Sequence, residues 1–411
     1  MITYDSWKAL LTFVYNNEHS LFYKEHFTKN NFNPETDFST LDDIIKIPLL
    51  TKKDLLSVPS ENLCFVPQSE ICSLSTTSGT TNGANLITFQ SPSELTSNAT
   101  ALEHDDYGID MLLFSPIRAG ALLYYYNQRK QVTLLGDIHN LPMSCSLAAQ
   151  SNVRTITTTP TMAIILKKYI AAQPALLKSL TYLRLGGEVI SQSKKEYLRE
   201  LYPNLEIFTV YSSSELGRFA SQCSHLSKND EESLYHPNTT THHLEITEDE
   251  LVVTDFSNKA TPLIRYKTGD LARFTEEPCS CGIPGPLISF AGRSDRDSVR
   301  AGGFEIRRDM IEKPILALQD VIHTDYEVHV HEKYIGGKPF LRLVINLALR
   351  DGVDDAESTR EHILQTFINK LRLSTTTSFK NMIAAGLFAN PEIVFVTFPS
   401  KVKATENIIL H

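Results

Sequence analysis

Apolar residues near the start of the chain recur at helical intervals, at Trp7, Leu10, Leu11 and Val14, and again at Leu21 and Phe22 beyond Asn16-Asn17. The spacing predicts two short amphipathic helices. Asp42-Asp43 and Thr51-Lys52-Lys53-Asp54 read as further helix starts, the second with a Thr cap and an acidic residue three positions on. Residues 1–70 are therefore expected to form a helical cap. Residues 71–74 and 86–89 are strand-like and flank a loop. From residue 110 to 211 short apolar runs at 111–114, 131–135, 154–158, 182–185 and 206–210 alternate with helical patterns. One helix carries Met162, Ile165, Leu166, Tyr169 and Ile170 on one face, and a more polar one covers 191–201. Strands alternating with helices predict a mostly parallel, helix-covered sheet, with functional residues in loops at the carboxyl ends of its strands. Gly186-Gly187-Glu188 and Tyr211-Ser212-Ser213-Ser214-Glu215 occupy two such loops.

Beyond Arg218 the texture changes. Residues 221–243 are polar and rich in His, and 244–246 and 251–254 alternate like a hairpin around Thr247-Glu248-Asp249-Glu250. Pro262-Leu263-Ile264-Arg265-Tyr266 leads into Thr268-Gly269-Asp270. The charged stretch Gly292-Arg293-Ser294-Asp295-Arg296-Asp297 predicts a domain boundary. After it come a helix near 309–318, strands at 327–331 and 341–349, a helix over 356–371 and a strand at 393–398. These make an α+β unit of about a hundred residues, a common domain size. The expected fold class is α/β, with a large first domain over 1–294 and a small α+β domain over 295–411.

A length of 411 residues suits two or three domains, and 42% apolar with 21% charged residues is the composition of a globular protein. The net charge of −9 and the lack of a long Lys/Arg block argue against nucleic acid as a partner. Asp5 and Lys8 interrupt the first apolar stretch, and no run of about 18 apolar residues occurs, so neither a secretory signal nor a spanning helix is expected. A cytoplasmic protein without a membrane partner follows as the expectation. Six scattered cysteines are too few for a disulfide framework in a chain of this length.

The candidate chemistry begins at Ser75-Thr76-Thr77-Ser78-Gly79-Thr80-Thr81-Asn82-Gly83, whose side chains are hydroxyls, hydrogens and one small amide. Such a loop can close backbone N–H groups and hydroxyls around a polyanion. No Lys follows to make it a P-loop. Taken alone, such a composition is more often that of a flexible surface linker. Tyr211 alone reads as a core tyrosine, Asp270 as a turn carboxylate and a terminal Lys pair as a solvated face. In order, however, STTSGTTNG, GGE, YSSSE, TGD, GRSDRD and Lys401-Val402-Lys403 support one another.

This ordered set resembles the adenylate-forming superfamily, and within it the phenylacetate–coenzyme A ligase-like branch. The resemblance implies a two-domain ligase that activates a carboxylic acid with ATP and Mg²⁺, then passes the acyl group to a thiol. It assigns Thr77, Ser78, Gly79, Thr80 and Thr81 to the ATP phosphates, with Gly187 and Glu188 also at the nucleotide. Tyr211 would pack on adenine, and Ser212 stands where the family usually has Gly. Ser214 and Glu215 would serve the phosphates and Mg²⁺. Asp270 would take the ribose hydroxyls, and Arg293 would also reach the nucleotide. Thr80, Glu215 and Lys401 are the implied catalytic residues. Lys403 is an alternative to Lys401, and the hinge falls at Asp295 or Asp297. Asn82 and Gly83 depart from the family's Gly and Lys, leaving the loop without its basic residue.

In the same branch Cys279-Ser280-Cys281-Gly282 resembles a Cys-Pro-Cys-Gly metal turn. The resemblance implies a structural Zn²⁺ held by Cys223, His236, Cys279 and Cys281, with His225 as a competing ligand. Two reduced cysteines in a tight turn are the alternative. The expected acid is aromatic or small and apolar. Gly120, Ala121 and Tyr124-Tyr125-Tyr126 lie where an acyl pocket could form, although a tyrosine cluster is also ordinary core. The acceptor is open between coenzyme A, a carrier-protein phosphopantetheine and an amine. A nucleotide-binding homologue without turnover is a further reading, a zinc-stabilised interaction module another, and a homodimer is one assembly open to the chain.

Overall fold

The computed structural model describes residues 2–76, 86–91, 108–114, 132–187, 190, 192–229, 234–275, 277–293, 298–335, 338–373, 378–396 and 408–410. The apolar stripe at the start becomes the helix Tyr4–Tyr15, which buries Trp7, Leu10, Leu11 and Val14. Its first turn is closed by reciprocal bonds between Thr3 and Ser6. The second helix, Phe22–Lys29, buries Phe22, Tyr23 and Phe27. Leu21 stands before that helix and is exposed, so the buried stripe starts one residue later than the spacing suggests. Thr51 caps Lys52–Leu56, and Asp54 returns to the Thr51 N–H at 2.9 Å.

The chain forms two compact units. The first comprises Met1–Thr159, Lys168–Gly187 and Asn204–Ser294, and the second Pro160–Lys167, Glu188–Pro203 and Asp295–His411. In the first unit a two-stranded hairpin, β1 (Ser73–Thr76) and β2 (Ile87–Gln90), flanks the Ser/Thr/Gly loop, as its strand-like borders predict. Then come β3 (Asp110–Leu113), β4 (Thr133–Leu135), β5 (Thr155–Thr158), β6 (Tyr182–Leu185), β7 (Glu206–Ser213), β8 (Gly217–Ser221), β9 (Leu234–Pro237), β10 (His242–Thr247), β11 (Glu250–Asp255), β12 (Tyr266–Thr275) and β13 (Leu287–Arg293). Among the described residues these eleven form one sheet in the order β10-β11-β12-β13-β9-β8-β7-β6-β5-β3-β4.

The sheet is parallel from β4 to β7 and antiparallel from β7 to β10. Its parallel half is the stretch where strands and helices alternate in sequence. In the antiparallel half, β10 and β11 form the expected hairpin. Glu248 and Asp249 both adopt positive φ at its tip, the backbone of a tight two-residue turn.

Two side chains tie the N-terminal helices to this half of the sheet. The Tyr23 hydroxyl donates to the Pro262 carbonyl at 2.8 Å and accepts the Ile264 N–H at 2.9 Å. Arg265, at φ +48°, spreads its guanidinium over the Glu245 carboxylate and the carbonyls of Ile45 and Ile47. A guanidinium suits this position because its planar fork meets several acceptors at once.

The parallel half holds a buried polar lock. Asp110 on β3 accepts the Thr157 hydroxyl of β5 at 2.8 Å and pairs with Arg184 of β6 at 3.0 Å, with almost no exposure of either charged side chain. Charges removed from water are tolerated only when paired and hydrogen-bonded, as these are.

The second unit contains β14 (Ser298–Ala301), β15 (Phe304–Arg307), β16 (Ile322–Ile335), β17 (Lys338–Leu349), β18 (Glu392–Phe395) and β19 (Ile408–Leu410). The long β16–β17 hairpin is flanked by β18 and β19, each parallel to its neighbour. Val328, Val330, Leu343, Ile345, Ile363 and Phe367 fill its core. A buried carboxylate, Glu332, pairs with Lys194 at 3.1 Å, accepts the Gly302 N–H at 2.6 Å and accepts the Tyr334 hydroxyl at 2.7 Å. No helix among the described residues is long and apolar enough to cross a membrane.

Two outcomes are expected. Asp110→Ala leaves the Arg184 charge buried without its carboxylate, so it should lower unfolding free energy by about 3–5 kcal/mol, read as a fall in the urea midpoint. Burial holds the His26 and His243 imidazoles below their ordinary pKa. The unfolded chain then binds more protons than the folded one as pH falls below about 6.5. Stability should be full above that pH and decline below it, and His26→Phe with His243→Phe should flatten the decline measured between pH 7.5 and 5.5.

Candidate functional site

Ser75 on β1 is buried, and its hydroxyl donates to the Ser214 carbonyl at 2.7 Å. A hydroxyl has one proton to give, so the 2.9 Å bond between Ser75 and Thr88 is donated by Thr88 of β2. The hairpin bearing the Ser/Thr/Gly loop is thus fastened to the end of β7. The Phe89 N–H donates to the Thr261 hydroxyl and its carbonyl accepts the Asn258 amide, which fixes β2 from its other side.

Tyr211, Ser212 and Ser213 are the last residues of β7, and Ser214 and Glu215 make the turn into β8. Ser213 Oγ accepts the Leu216 N–H at 3.2 Å. Buried His242 contacts the Leu216 carbonyl through Nε2 at 3.1 Å; a carbonyl only accepts, so Nε2 carries the proton and Nδ1 faces the Thr241 hydroxyl. The Tyr266 hydroxyl donates to Glu215 Oε1 at 3.3 Å. Tyr211 lies flat on Phe290 of β13, ring centres 3.5 Å apart.

Gly186 follows β6 and donates its N–H to the Thr158 carbonyl. A Cβ there would fall 2.7 Å from Val210 Cγ2, so only glycine lets this strand end lie beside β7. Gly187 turns away at φ +78°.

Asp270 is buried in β12, where its N–H donates to Thr268 Oγ1 at 3.1 Å. Glu250 shapes the bend, accepting the Gly269 N–H at 3.0 Å and pairing with Lys267 at 3.0 Å. Arg293 of β13 lies opposite Asp270 in the strand register. One end of the sheet therefore gathers Ser75, Ser214 and Glu215, with Tyr266 linking Glu215 to the strand that bears Asp270. Thr77, Ser78, Gly79, Thr80, Thr81, Asn82, Gly83, Gly120, Ala121, Tyr124, Tyr125, Tyr126, Glu188, Asp295, Asp297, Lys401 and Lys403 lie outside the described residues. Sequence reasoning did not single out Thr88, His242, Tyr266 or Phe290. Tyr266 stands four residues before Asp270 and Phe290 three before Arg293, but nothing in their spacing shows which rings and carboxylates they meet.

A second cluster forms where β9 and the turn after β12 come together. The donor atoms of Cys223, His236, Cys279 and Cys281 lie within 4.8 Å of one another, and His225 is not one of this group. The Cys223 and Cys279 sulfurs are 3.7 Å apart, and Cys281 Sγ is 3.4 Å from His236 Nε2. A tetrahedron of Zn–S bonds of about 2.3 Å has edges of about 3.8 Å, so the donor set is spaced for that cation. The Leu226 and Ile283 N–H groups point at Cys223 and Cys281, and Gly282 closes the Cys-x-Cys turn at φ +83°. Burial pushes the Cys279 thiol up to about 12 and keeps the His236 imidazole neutral by lowering its pKa. A neutral imidazole is the ligating form, and a bound cation would draw the protons off the thiols.

No protein-family model matches the chain. The fold is that of the adenylate-forming coenzyme A ligases. It matches 2-hydroxyisobutyryl-CoA ligase, solved with 2-HIB-AMP and CoA, at a TM-score of 0.67 and 16% identity over 99% of this chain and 88% of that one. It also matches o-succinylbenzoate CoA synthetase from Bacillus subtilis at a TM-score of 0.53 and 16% identity, over 83% of this chain and 69% of that one. In sequence the chain is similar to the phenylacetate–coenzyme A ligase of Thermus thermophilus, 23% identical across 89% of this chain and 87% of that protein. The resemblance carried by the short motifs therefore extends along the chain.

Chelator-free protein should contain about one zinc per chain, a Cys₃His set being a one-ion site. Cys279→Ser should lower the metal content and the melting temperature together, and a metal content unchanged by that substitution would remove the site.

Proposed function

We propose that the protein is an ATP-dependent acid–thiol ligase. The single observation that carries this reading is the Ser75 bond to the Ser214 carbonyl, which sets the start of the hydroxyl-rich loop against the Tyr211–Glu215 turn within one fold of this class. A carboxylate oxygen attacks the α-phosphorus of ATP, the α–β phosphoanhydride bond breaks, and pyrophosphate leaves. In the second step a thiolate attacks the acyl carbon and AMP departs. Coenzyme A is the thiol we favour; a carrier-protein phosphopantetheine or an amine is the alternative acceptor. The acid we propose is aromatic or small and apolar.

Residues 1–294 would be the adenylating domain and 295–411 the lid. The loop Thr77–Thr81 would hold the phosphates, Tyr211 the base and Asp270 the ribose hydroxyls, with Arg293 nearby. Glu215 and Ser214 present the hard oxygen donors that Mg²⁺ takes, and the cation would supply charge neutralisation at the phosphates. Lys401 would be delivered to the carboxylate and α-phosphate by the lid, where a preorganised cation stabilises developing charge. The four-residue Cys/His cluster would hold zinc as a structural cross-link with no part in the chemistry. A reducing cytoplasm suits these thiols.

Gly83, standing where relatives carry Lys, favours a second reading: a nucleotide-binding homologue without turnover. Acid-dependent exchange of labelled pyrophosphate into ATP, run over a panel of carboxylic acids, separates the two. Exchange with at least one acid is expected, and ATP binding without exchange would favour the second reading. Lys401→Ala should reduce exchange by about 10²–10³-fold, as loss of one preorganised donor does. Wild-type rates from that variant, with Lys403→Ala inactive, would move the role to Lys403.

A further inference from the structure

The ring beneath Tyr211 has no part in the roles given so far. Phe290 and Tyr211 are both half-buried and lie nearly parallel, 9° between planes and 3.5 Å between ring centres. Free aromatic pairs prefer offset or edge-to-face arrangements, because two like ring faces repel. Something must therefore hold these two face to face, and the neighbours of each ring leave space for it. Phe290 lies opposite Ala272 on β12, and Tyr211 opposite Ala220 on β8. Both alanines are buried and leave room for a ring to lie over the sheet.

Two further rings stand on edge against the stack. Phe219 meets Tyr211 at 5.5 Å and Phe290 at 6.4 Å; Tyr235 meets them at 6.0 Å and 5.4 Å. The plane of Tyr211 is thereby set by a face on one side and by two flanking rings. β13 continues from Phe290 to Arg293, whose backbone is paired with Asp270. One strand thus supports the proposed base platform and the proposed ribose carboxylate.

We infer that Phe290 is a positioning residue for the nucleotide base: it fixes the Tyr211 ring so that the opposite face accepts a purine. The inference rests on the reading of Tyr211 as the surface that takes the base. Stacking on a rigid ring loses little entropy on binding, whereas a tilting ring must be ordered first. Phe290 touches no substrate and acts only through Tyr211.

The test is equilibrium binding of ATP and of inorganic tripolyphosphate, with exchange kinetics, for wild type, Phe290→Leu and Phe290→Met. The expected result is ATP binding weakened by about three- to tenfold, the range of one aromatic pair. Tripolyphosphate binding and kcat should be unchanged, and Phe290→Tyr should restore ATP affinity. Phe290→Met retains the apolar volume without the flat face and serves if Phe290→Leu is poorly folded. Equal ATP affinity in a folded variant overturns the inference. So does a parallel loss for ATP and tripolyphosphate, since that would mean general loosening of the fold. Wild-type protein that binds tripolyphosphate but gains nothing from the adenosine moiety overturns the reading of Tyr211, and the inference with it. ATP binding that depends on Phe290 in a protein without exchange supports the inference while refuting turnover.

Discussion

Ser75 has a single proton to donate, and it goes to the carbonyl of Ser214. That choice ties two pieces of backbone that are 139 residues apart in sequence. The β1–β2 hairpin is a sheet of its own, not a strand pair of the large sheet. Two strands are marginal in water unless something else holds them. Here the holding is done by side chains: Ser75 to the end of β7, and Asn258 and Thr261 to the backbone of Phe89.

The antiparallel half of the sheet places the remaining groups. β12 brings Tyr266 to Glu215 and carries Asp270 in a bend shaped by Glu250, while β13 brings Phe290 under Tyr211. The parallel half contributes the glycine pair after β6 and the buried Asp110, Thr157 and Arg184 lock behind it. A polar lock deep in a sheet adds register more than net stability, because a charge moved to the wrong strand position would be left unpaired. The N-terminal helices close over the antiparallel half and are pinned by Tyr23 and Arg265, the latter in a strained backbone conformation that its five acceptor contacts offset.

The Cys/His cluster solves a separate problem. Residues 221–243 are largely polar in sequence, and Cys223, Leu226 and Tyr235 are the buried apolar side chains among the described ones. Its four donors, from Cys223, His236, Cys279 and Cys281, sit within a small core with Leu226 and Leu287. A site of this kind can replace apolar area with ligand bonds.

The sequence by itself determined what depends on short range. Helical spacing fixed the stripe of Trp7, Leu10, Leu11 and Val14, the Thr51–Asp54 pattern fixed a helix start, and alternation of strand and helix fixed the parallel stretch from β3 to β7. The order of short motifs also pointed to the coenzyme A ligases that the chain resembles, since each motif needs only its own few residues. It did not show β8 and β9 as strands, because their apolar alternation is weak and their identity comes from neighbours across the sheet. The Tyr211–Phe290 stack, the Tyr266 bond to Glu215 and the meeting of Ser75 with Ser214 were decided only in three dimensions. Each joins residues from different strands, and a contact between distant segments depends on register and hydrogen-bond direction, which no local pattern encodes.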